Sequence, residues 1–196
     1  DWYNKIISHN EVPRTHPERD KFRSRIWRVR HKNQPPPNVP DFTKLKDAEL
    51  MGYLGAENLW RAHTAWQQIV DRNAVSLSPQ LEAIVRNIAN PASARIQSLW
   101  ALEGLERLKI NIVKELFTDP NRNLRREALR ALGASAASEF FDLAASLADD
   151  FDPEVRAELI RSAARFLGKD DRALPLLLAM AKPALDLPIA RNTQTG

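Results

Sequence analysis

From residue 43 onward, apolar residues recur at helical spacing, with short polar segments between them. Four segments share one pattern, in which an arginine has an apolar or small residue before it and another four positions after it. These repeat arginines are Arg61, Arg95, Arg125 and Arg156, and they lie 34, 30 and 31 residues apart. Residues four apart share one face of a helix. We therefore expect a common buried face that includes Trp60 before the first arginine and the later residues Ala65, Leu99, Leu129 and Ile160.

Each segment opens with Asp or Asn, whose side-chain oxygen can accept a hydrogen bond from the free N–H groups at a helix start. In three of the four, proline follows at a position where a helical N–H has no partner. The predicted helix-capping residues are Asn58, Asn90, Asp119 and Asp152. Shorter second helices are predicted at about 45–54, 79–89, 110–117, 136–148 and 172–181. Gly104, Gly133 and Gly168 suit the turns that end helices.

Helix pairs that recur every thirty-odd residues predict an all-α fold, a solenoid of about nine helices in which each pair covers the apolar face of its neighbours. Asp152-Pro153-Glu154-Val155-Arg156, and more loosely Asp119-Pro120 with residues 124–133, resemble the HEAT repeat in its short bacterial form, which also occurs in phycobilin lyase-type repeats. The resemblance covers about residues 43–182, and it is weaker where Asn58 and Asn90 replace Asp. It implies a right-handed α-solenoid over residues 43–196, with about four repeats and an incomplete fifth.

The same resemblance implies a structural role for the repeat arginines. In HEAT arrays, the capping Asp or Asn of one repeat and the arginine of an adjacent one form a ladder between layers. The planar guanidinium suits several acceptors at once. We assign seven residues to this ladder: Arg61, Arg95, Arg125, Arg156, Asn58, Asp119 and Asp152.

The N-terminal part has a different composition. Residues 1–32 form a basic head, and residues 33–42 form a linker with four prolines that favours an extended backbone. Residues 1–40 carry a net charge of +5, whereas residues 41–196 carry −1. Residues 19–32 combine Lys and Arg with Trp27, which would suit nucleic acid. The simpler interpretation is an irregular head with one short edge strand over residues 25–30, where basic side chains block aggregation.

A second resemblance joins this head to the solenoid. Residues 1–13, then His16-Pro17-Glu18-Arg19-Asp20 and Arg25-Ile26-Trp27-Arg28-Val29, are similar to the closing strands of the β-propeller in sorbosone/glucose dehydrogenase-like proteins. The family usually has Gly where Ser24 stands. In the membrane-bound dehydrogenase-like proteins of planctomycetes, a propeller is followed by HEAT repeats and often by a cytochrome c domain. The resemblance implies a larger, bacterial, periplasmic or extracytoplasmic parent protein, of which this chain is a fragment.

Candidate catalytic groups are few. The chain has no cysteine, which excludes disulfides, zinc ribbons, thiol catalysis and Cys-attached haem within it. His9 and Glu11 would share one face of a strand and could bind a metal, but a surface imidazole is the simpler interpretation. The cluster Asp149-Asp150-Phe151-Asp152 lacks the glycine turn and later glutamate of a calcium loop, and helix capping explains it better. We therefore predict no catalytic residue, no metal and no cofactor.

Partner binding is the leading functional hypothesis. Trp66, Trp100, Arg130 and Arg161 each lie five residues after a repeat arginine, and we expect them to project from the second helix of each pair towards the concave surface. Packing of Trp66 and Trp100 between neighbouring repeats is the alternative for those two. The sequence thus predicts a non-catalytic scaffold that binds a protein partner or other domains of its parent. The alternatives are a contribution to a quinone- or haem-linked propeller oxidoreductase and nucleic-acid binding, which the net charge of the array opposes.

The C-terminal helix predicts an uncovered surface. It is rich in apolar residues, namely Leu174, Leu176, Leu177, Leu178 and Met180, and we expect Pro183 to end it. Solenoids finish with a polar-faced cap, which this end lacks. We therefore expect either that the natural protein continues past Gly196 or that this face meets another chain. The sequence contains no apolar segment of the ~20 residues that a membrane-spanning helix needs.

Overall fold

The computed structural model describes residues 38–135 and 138–185, with the side chains up to residue 181, and before them residues 13, 15–17, 29, 31–33 and 35. The chain divides into two compact units, Asp1–Pro40 and Asp41–Gly196. The pair His9 and Glu11 lies outside the described residues, as do most of the propeller-like segment and the predicted edge strand except Val29. The predicted boundaries of head and linker remain predictions.

The described part of the second unit is entirely helical. The helices are α1 (Asp47–Met51), α2 (Leu59–Asp71), α3 (Ser78–Arg86), α4 (Ala92–Gly104), α5 (Ile110–Leu116), α6 (Arg122–Ala134), α7 (Phe140–Ala144), α8 (Pro153–Ala164) and α9 (Ala173–Leu185), with short 3₁₀ helices at Val75–Leu77 and Ala145–Leu147. Long α-helices alternate with shorter ones from α1 to α8, and the last described helix, α9, is again long, which confirms the all-α solenoid. None of the helices described here has the length and apolar character needed to cross a membrane.

The long helices α2, α4, α6 and α8 contact one another in chain order, and each also packs on at least one shorter helix. The core between them is made of fully buried aliphatic and aromatic side chains, among them Ile69, Leu99, Leu129, Phe140 and Leu159. The core is therefore one continuous apolar layer built from successive repeats, as expected for a solenoid.

Two of the four predicted helix caps are correct. The side chain of Asn58 accepts a hydrogen bond from the backbone N–H of Arg61 at 3.1 Å, and that of Asp152 accepts one from Glu154 at 2.8 Å. Asn90 does not cap α4; its amide donates to the carbonyl of Ile84, and α4 begins after Pro91.

The prediction for Asp119 is also wrong. Asn121 caps α6, and Asp119 lies two residues earlier. There its carboxylate accepts a hydrogen bond from the Asn121 N–H at 2.8 Å, just as Asp150 accepts one from Asp152 at 2.9 Å. Asp119 therefore corresponds to Asp150 in the next repeat. Matching Asp119-Pro120 to Asp152-Pro153 places the two repeats two residues out of register.

The ladder between layers has a different set of acidic residues from the one predicted. Arg95 pairs with Asp119 at 2.6 Å (Nη2–Oδ2), as expected, but Arg125 pairs with Asp150 instead of Asp152. The Arg125 guanidinium also donates to the backbone carbonyl of Asp119, and that of Arg156 donates to the carbonyl of Asp150. Each of these two aspartates thus binds the arginine of the preceding repeat through its side chain and the arginine of its own repeat through its backbone. Asp152 caps α8 and pairs with Arg122.

Two residues predicted in the core are exposed. Trp60 is 56% exposed, with its ring edge-on to Phe42, and Ile160 is 40% exposed. Leu129, the residue of α6 that corresponds to Ile160, is fully buried because α6 lies between α4 and α8. The helix α8 packs on α6 and on α9, and these contacts leave Ile160 partly exposed. Its neighbour Leu159 is buried in its place.

Gly104 is the last residue of α4 and Gly133 lies within α6, and both allow close helix packing. A Cβ on Gly133 would lie 2.8 Å from the Cβ of Ser162 on α8. Only Gly168 of the three has the predicted left-handed backbone, with a φ of 73°.

The prediction that Pro183 ends the last helix is wrong, because α9 continues to Leu185. Proline fits helical φ and costs one hydrogen bond and some crowding of the preceding turn. On this helix Leu174 and Leu178 are 55% and 62% exposed, while Leu176, Leu177 and Met180 pack against the core. The apolar surface predicted for this end is thus present on α9.

Candidate functional site

A cleft of about 1100 Å³ runs along one side of α2, α4 and α6. We call it the tryptophan cleft. Its lining residues that carry aromatic or charged groups are His63 and Trp66 on α2, Trp100 and Glu103 on α4, Glu106 just after α4, and Glu127 and Arg130 on α6. Leu108, Ile110 and Val113 add an apolar wall from α5 and the loop before it.

The structure brings together three of the four residues predicted for partner binding. Trp66, Trp100 and Arg130 line the cleft, whereas Arg161 lies outside its lining. All four lie on the long helices that carry the repeat arginines, and not on the shorter second helices as predicted. The reason is that a residue five positions after the arginine is still within the same helix of about thirteen residues.

The two tryptophans also contact each other across the boundary between repeats. Their ring centroids lie 5.9 Å apart in an edge-to-face arrangement, and His63 makes a similar contact with Trp66 at 4.9 Å. Such pairs stabilise by about 0.5–1.5 kcal/mol beyond the area they bury. Trp66 and Trp100 therefore pack between adjacent repeats and also line the cleft.

Hydrogen bonds fix the second tryptophan and the floor of the cleft. Trp100 donates its Nε1–H to Oε2 of Glu127 at 2.9 Å, and the Arg130 Nε–H donates to the same oxygen at 2.9 Å. Arg126 donates to the other oxygen, Oε1, at 3.0 Å. Glu127 thus has both oxygens occupied and is only 7% exposed.

Burial opposes ionisation of Glu127, but hydrogen bonds from Arg130, Trp100 and Arg126 outweigh it, so the pKa of Glu127 lies below its usual range. Burial likewise disfavours the charged form of Arg130, yet its bonds to Glu103 and Glu127 raise the pKa of Arg130. Both groups therefore remain charged at neutral pH.

Arg130 joins α6 to α4. Its Nη2 lies 2.5 Å from Oε2 of Glu103 and its Nη1 lies 3.3 Å from Oε1, a two-pronged ion pair between adjacent repeats. Its Cζ atom also lies 5.8 Å from the centre of the Trp100 ring. Arg130 therefore holds Trp100 and both carboxylates in place.

The sequence patterns missed His63, Glu103, Glu106 and Glu127. A signal for Glu127 exists, because it lies two residues after Arg125, as Glu158 does after Arg156. In both repeats this glutamate pairs with the residue three positions later, Arg130 or Arg161, at 2.9 and 3.0 Å. Glu103 likewise lies three residues after Trp100, the spacing that places two side chains on one helix face.

Other candidate sites receive no support. The described residues hold no group of three or more His, Asp or Glu side chains suited to a metal ion. In the cluster before α8, Asp150 binds Arg125 and Asp152 caps the helix, which are structural roles.

Comparison with known proteins agrees with the fold. Neither the curated proteins nor the solved structures include a match to this chain. The family model of HEAT repeats matches residues 111–191, which include α6, α8 and the best-matching sequence segments. This match, together with the alternation of long and short helices, supports a HEAT-repeat array, a helical repeat module of the scaffold or interaction type.

Proposed function

We propose that this chain is a non-catalytic interaction segment that binds a protein partner through the tryptophan cleft. The observation that carries the proposal is the placement of Trp66 and Trp100, from adjacent repeats, side by side in the wall of a cleft large enough for a peptide segment. Tryptophan and arginine dominate the binding energy of protein interfaces. Arg161, exposed on α8, occupies the position that corresponds to Arg130 in the next repeat.

The cleft is also organised before any partner arrives. Arg130, Glu103 and Glu127 hold Trp100 through charged hydrogen bonds that link α4 and α6. A preorganised site loses less conformational entropy on binding. These hydrogen bonds favour the interpretation of the cleft as a binding surface and not as a packing defect between repeats.

The test is selection of random dodecapeptides displayed on phage against the full chain, followed by titration of purified peptides. Trp100→Ala should weaken a selected peptide at least tenfold, since loss of an aromatic anchor costs about 2 kcal/mol or more. Trp60→Ala is the control, because it removes a tryptophan that is exposed and lies outside the cleft. Equal affinity of wild type and Trp100→Ala for every selected peptide would contradict the proposal.

We further propose that the segment is part of a larger dehydrogenase-like protein with a propeller before it and a cytochrome c domain after it. The support is the sequence resemblance of residues 1–29 to closing propeller strands, followed by a proline-rich linker and helical repeats. The flanking coding sequence tests this. Propeller blades upstream and a Cys-x-x-Cys-His motif downstream are expected, and an unrelated upstream domain would contradict it.

A further inference from the structure

The charged groups of the tryptophan cleft are unequal in number. Three carboxylates line it, those of Glu103, Glu106 and Glu127, against a single guanidinium, that of Arg130. Two other arginines adjoin these groups: Arg126 pairs with Glu127, and Arg107 donates to the backbone carbonyl of Glu106. Glu103 and Glu127 are therefore neutralised by arginines, and the carboxylate of the cleft that stays outside these ion pairs is that of Glu106.

Arg130 is not positioned to receive an anionic ligand. Its Nε–H is directed to Glu127 and both terminal nitrogens are directed to Glu103. A carboxylate or phosphate would have to displace two ionised carboxylates that are already bound. Arg130 therefore offers an acidic segment no nitrogen that is not already bonded to a carboxylate.

Glu106 is the carboxylate left for a ligand. Its side chain is exposed, and within the described part of the chain it has no hydrogen bond or ion pair. Its backbone φ is 56°, the left-handed conformation that ends α4, whereas the corresponding residue after α2 is Asn73, with a φ of 51°. Glycine and asparagine tolerate this conformation better than glutamate. A glutamate here costs stability and places a carboxylate at the edge of the cleft.

The indoles add a second means of attracting a cation. The face of tryptophan is the best aromatic partner for a guanidinium or ammonium group. Arg130 already lies over the Trp100 ring at 5.8 Å, which shows that a guanidinium is compatible with this environment. Carboxylates beside indoles are a combination suited to a basic side chain.

We infer that the tryptophan cleft accepts an arginine or lysine side chain from an extended segment of the partner protein, with Glu106 as its ion-pair acceptor. This inference rests on the proposed function and specifies the chemistry of the partner. It predicts that selected peptides share a basic residue whose removal abolishes the dependence on Trp100.

The experiment uses the ¹⁵N-labelled full chain and four blocked tripeptides, Gly-X-Gly, in which X is arginine, lysine, citrulline or glutamate. Citrulline is the neutral isostere of arginine and serves as the matched ligand. The indole N–H signals of Trp66 and Trp100 are assigned from Trp→Phe variants and followed during titration. The arginine and lysine peptides should shift them, with at least fivefold higher apparent affinity than citrulline, and the glutamate peptide should not.

The protein variants distinguish loss of the Glu106 negative charge from a change in the fold. Glu106→Gln should weaken the arginine peptide at least threefold, while Glu57→Gln, an exposed glutamate outside the cleft, should not change it. Glu106→Gly should weaken binding in the same way and leave the melting temperature unchanged or higher, because glycine relieves the left-handed backbone.

Equal shifts with citrulline and arginine, stronger shifts with glutamate, or no shift with either basic peptide would overturn the inference. If selected peptides depend on Trp100 but carry no basic residue, the proposed function stands and the inference fails. If no selected peptide depends on Trp100, the proposed function fails as well.

Discussion

Arg125 binds Asp150 of the next repeat in a two-pronged ion pair, with Nε–Oδ2 at 2.7 Å and Nη2–Oδ1 at 2.9 Å. Both side chains are almost completely buried, at 4% and 5% exposure. The same guanidinium donates to the carbonyl of Asp119 at 2.8 Å, and the Phe151 ring covers it at 4.5 Å. The arginine and the two aspartates thus connect successive repeats through hydrogen bonds and a buried ion pair.

Asp150→Ala should therefore destabilise the fold strongly. It leaves the buried Arg125 guanidinium without its carboxylate, a loss of about 3–5 kcal/mol. Asp152→Ala removes a helix cap and should cost about 0.5–2 kcal/mol. The exposed neighbour Asp149 is the control, and Asp149→Ala should change stability by less than about 0.5 kcal/mol. Urea unfolding of the three variants measures their losses of unfolding free energy. An equal loss for Asp150→Ala and Asp152→Ala would show that Asp152 contributes as much as Asp150 to the contacts between repeats.

The same pair predicts a dependence on pH. The hydrogen bond from Arg125 lowers the pKa of Asp150 in the folded chain and outweighs burial, which raises it. In the unfolded chain the pKa is about 3.9. A carboxylate of this kind stabilises the fold fully above its unfolded pKa, and the contribution is lost as the pH falls through its folded pKa.

The neutral variant Asp150→Asn isolates this effect from other carboxylates. The difference in unfolding free energy between wild type and Asp150→Asn should be constant from about pH 7 to pH 5 and should shrink below about pH 4. Urea unfolding at a series of pH values measures it. A difference that stays the same down to the lowest pH at which both proteins fold would contradict the lowered pKa of Asp150.

Buried and partly exposed positions of the repeat should differ in their response to truncation. Leu129→Ala should cost about 2–5 kcal/mol, as for a fully buried leucine. Ile160→Ala, at the corresponding position of α8, should cost less than about 1.5 kcal/mol, because 40% of the residue is already exposed. Denaturant unfolding of both variants provides the comparison. Equal losses would mean that Ile160 is covered in solution.

Two fully buried serines form a further matched pair. Among the residues that the structure describes, the Ser98 hydroxyl on α4 has no hydrogen-bond partner, whereas that of Ser162 on α8 donates to Glu158 at 3.1 Å. Ser98→Ala should raise the unfolding free energy by about 0.5–1 kcal/mol, because it removes an unsatisfied polar group and favours the helix. Ser162→Ala should lower it by about 1 kcal/mol. Thermal unfolding checks both signs, and destabilisation by Ser98→Ala would indicate a bound partner for its hydroxyl.

The helical architecture was predictable because it depends on local signals. Asn58 and Asp152 mark helix starts through a side-chain bond to the backbone two or three residues away, and periodicity places Leu99 and Leu129 in the core. Trp60 and Ile160 were mispredicted because burial at the same repeat position depends on which helices flank it. Helical periodicity determines which face of a helix a residue lies on. Whether that face is buried depends on the packing of the neighbouring repeats.

The cleft was only partly predictable for a similar reason. The five-residue spacing from the repeat arginines identified Trp66, Trp100 and Arg130, since that spacing is a property of one helix. Glu103 and Glu106 enter the cleft because α4 ends beside α6, a relationship between two repeats. The unusual left-handed backbone at Glu106 has no signal in the sequence, because a glutamate does not favour that conformation.

The central claim is that a partner occupies the tryptophan cleft, and the most direct test is to locate a bound peptide. Intermolecular nuclear Overhauser effects would be measured between a selected peptide and the labelled full chain. The account predicts contacts from the peptide to the ring protons of Trp66 and Trp100 and to side chains of α6 that line the cleft. Contacts confined to the exposed apolar residues of α8 and α9, such as Ile160, Leu174 and Leu178, with none to either indole, would contradict it.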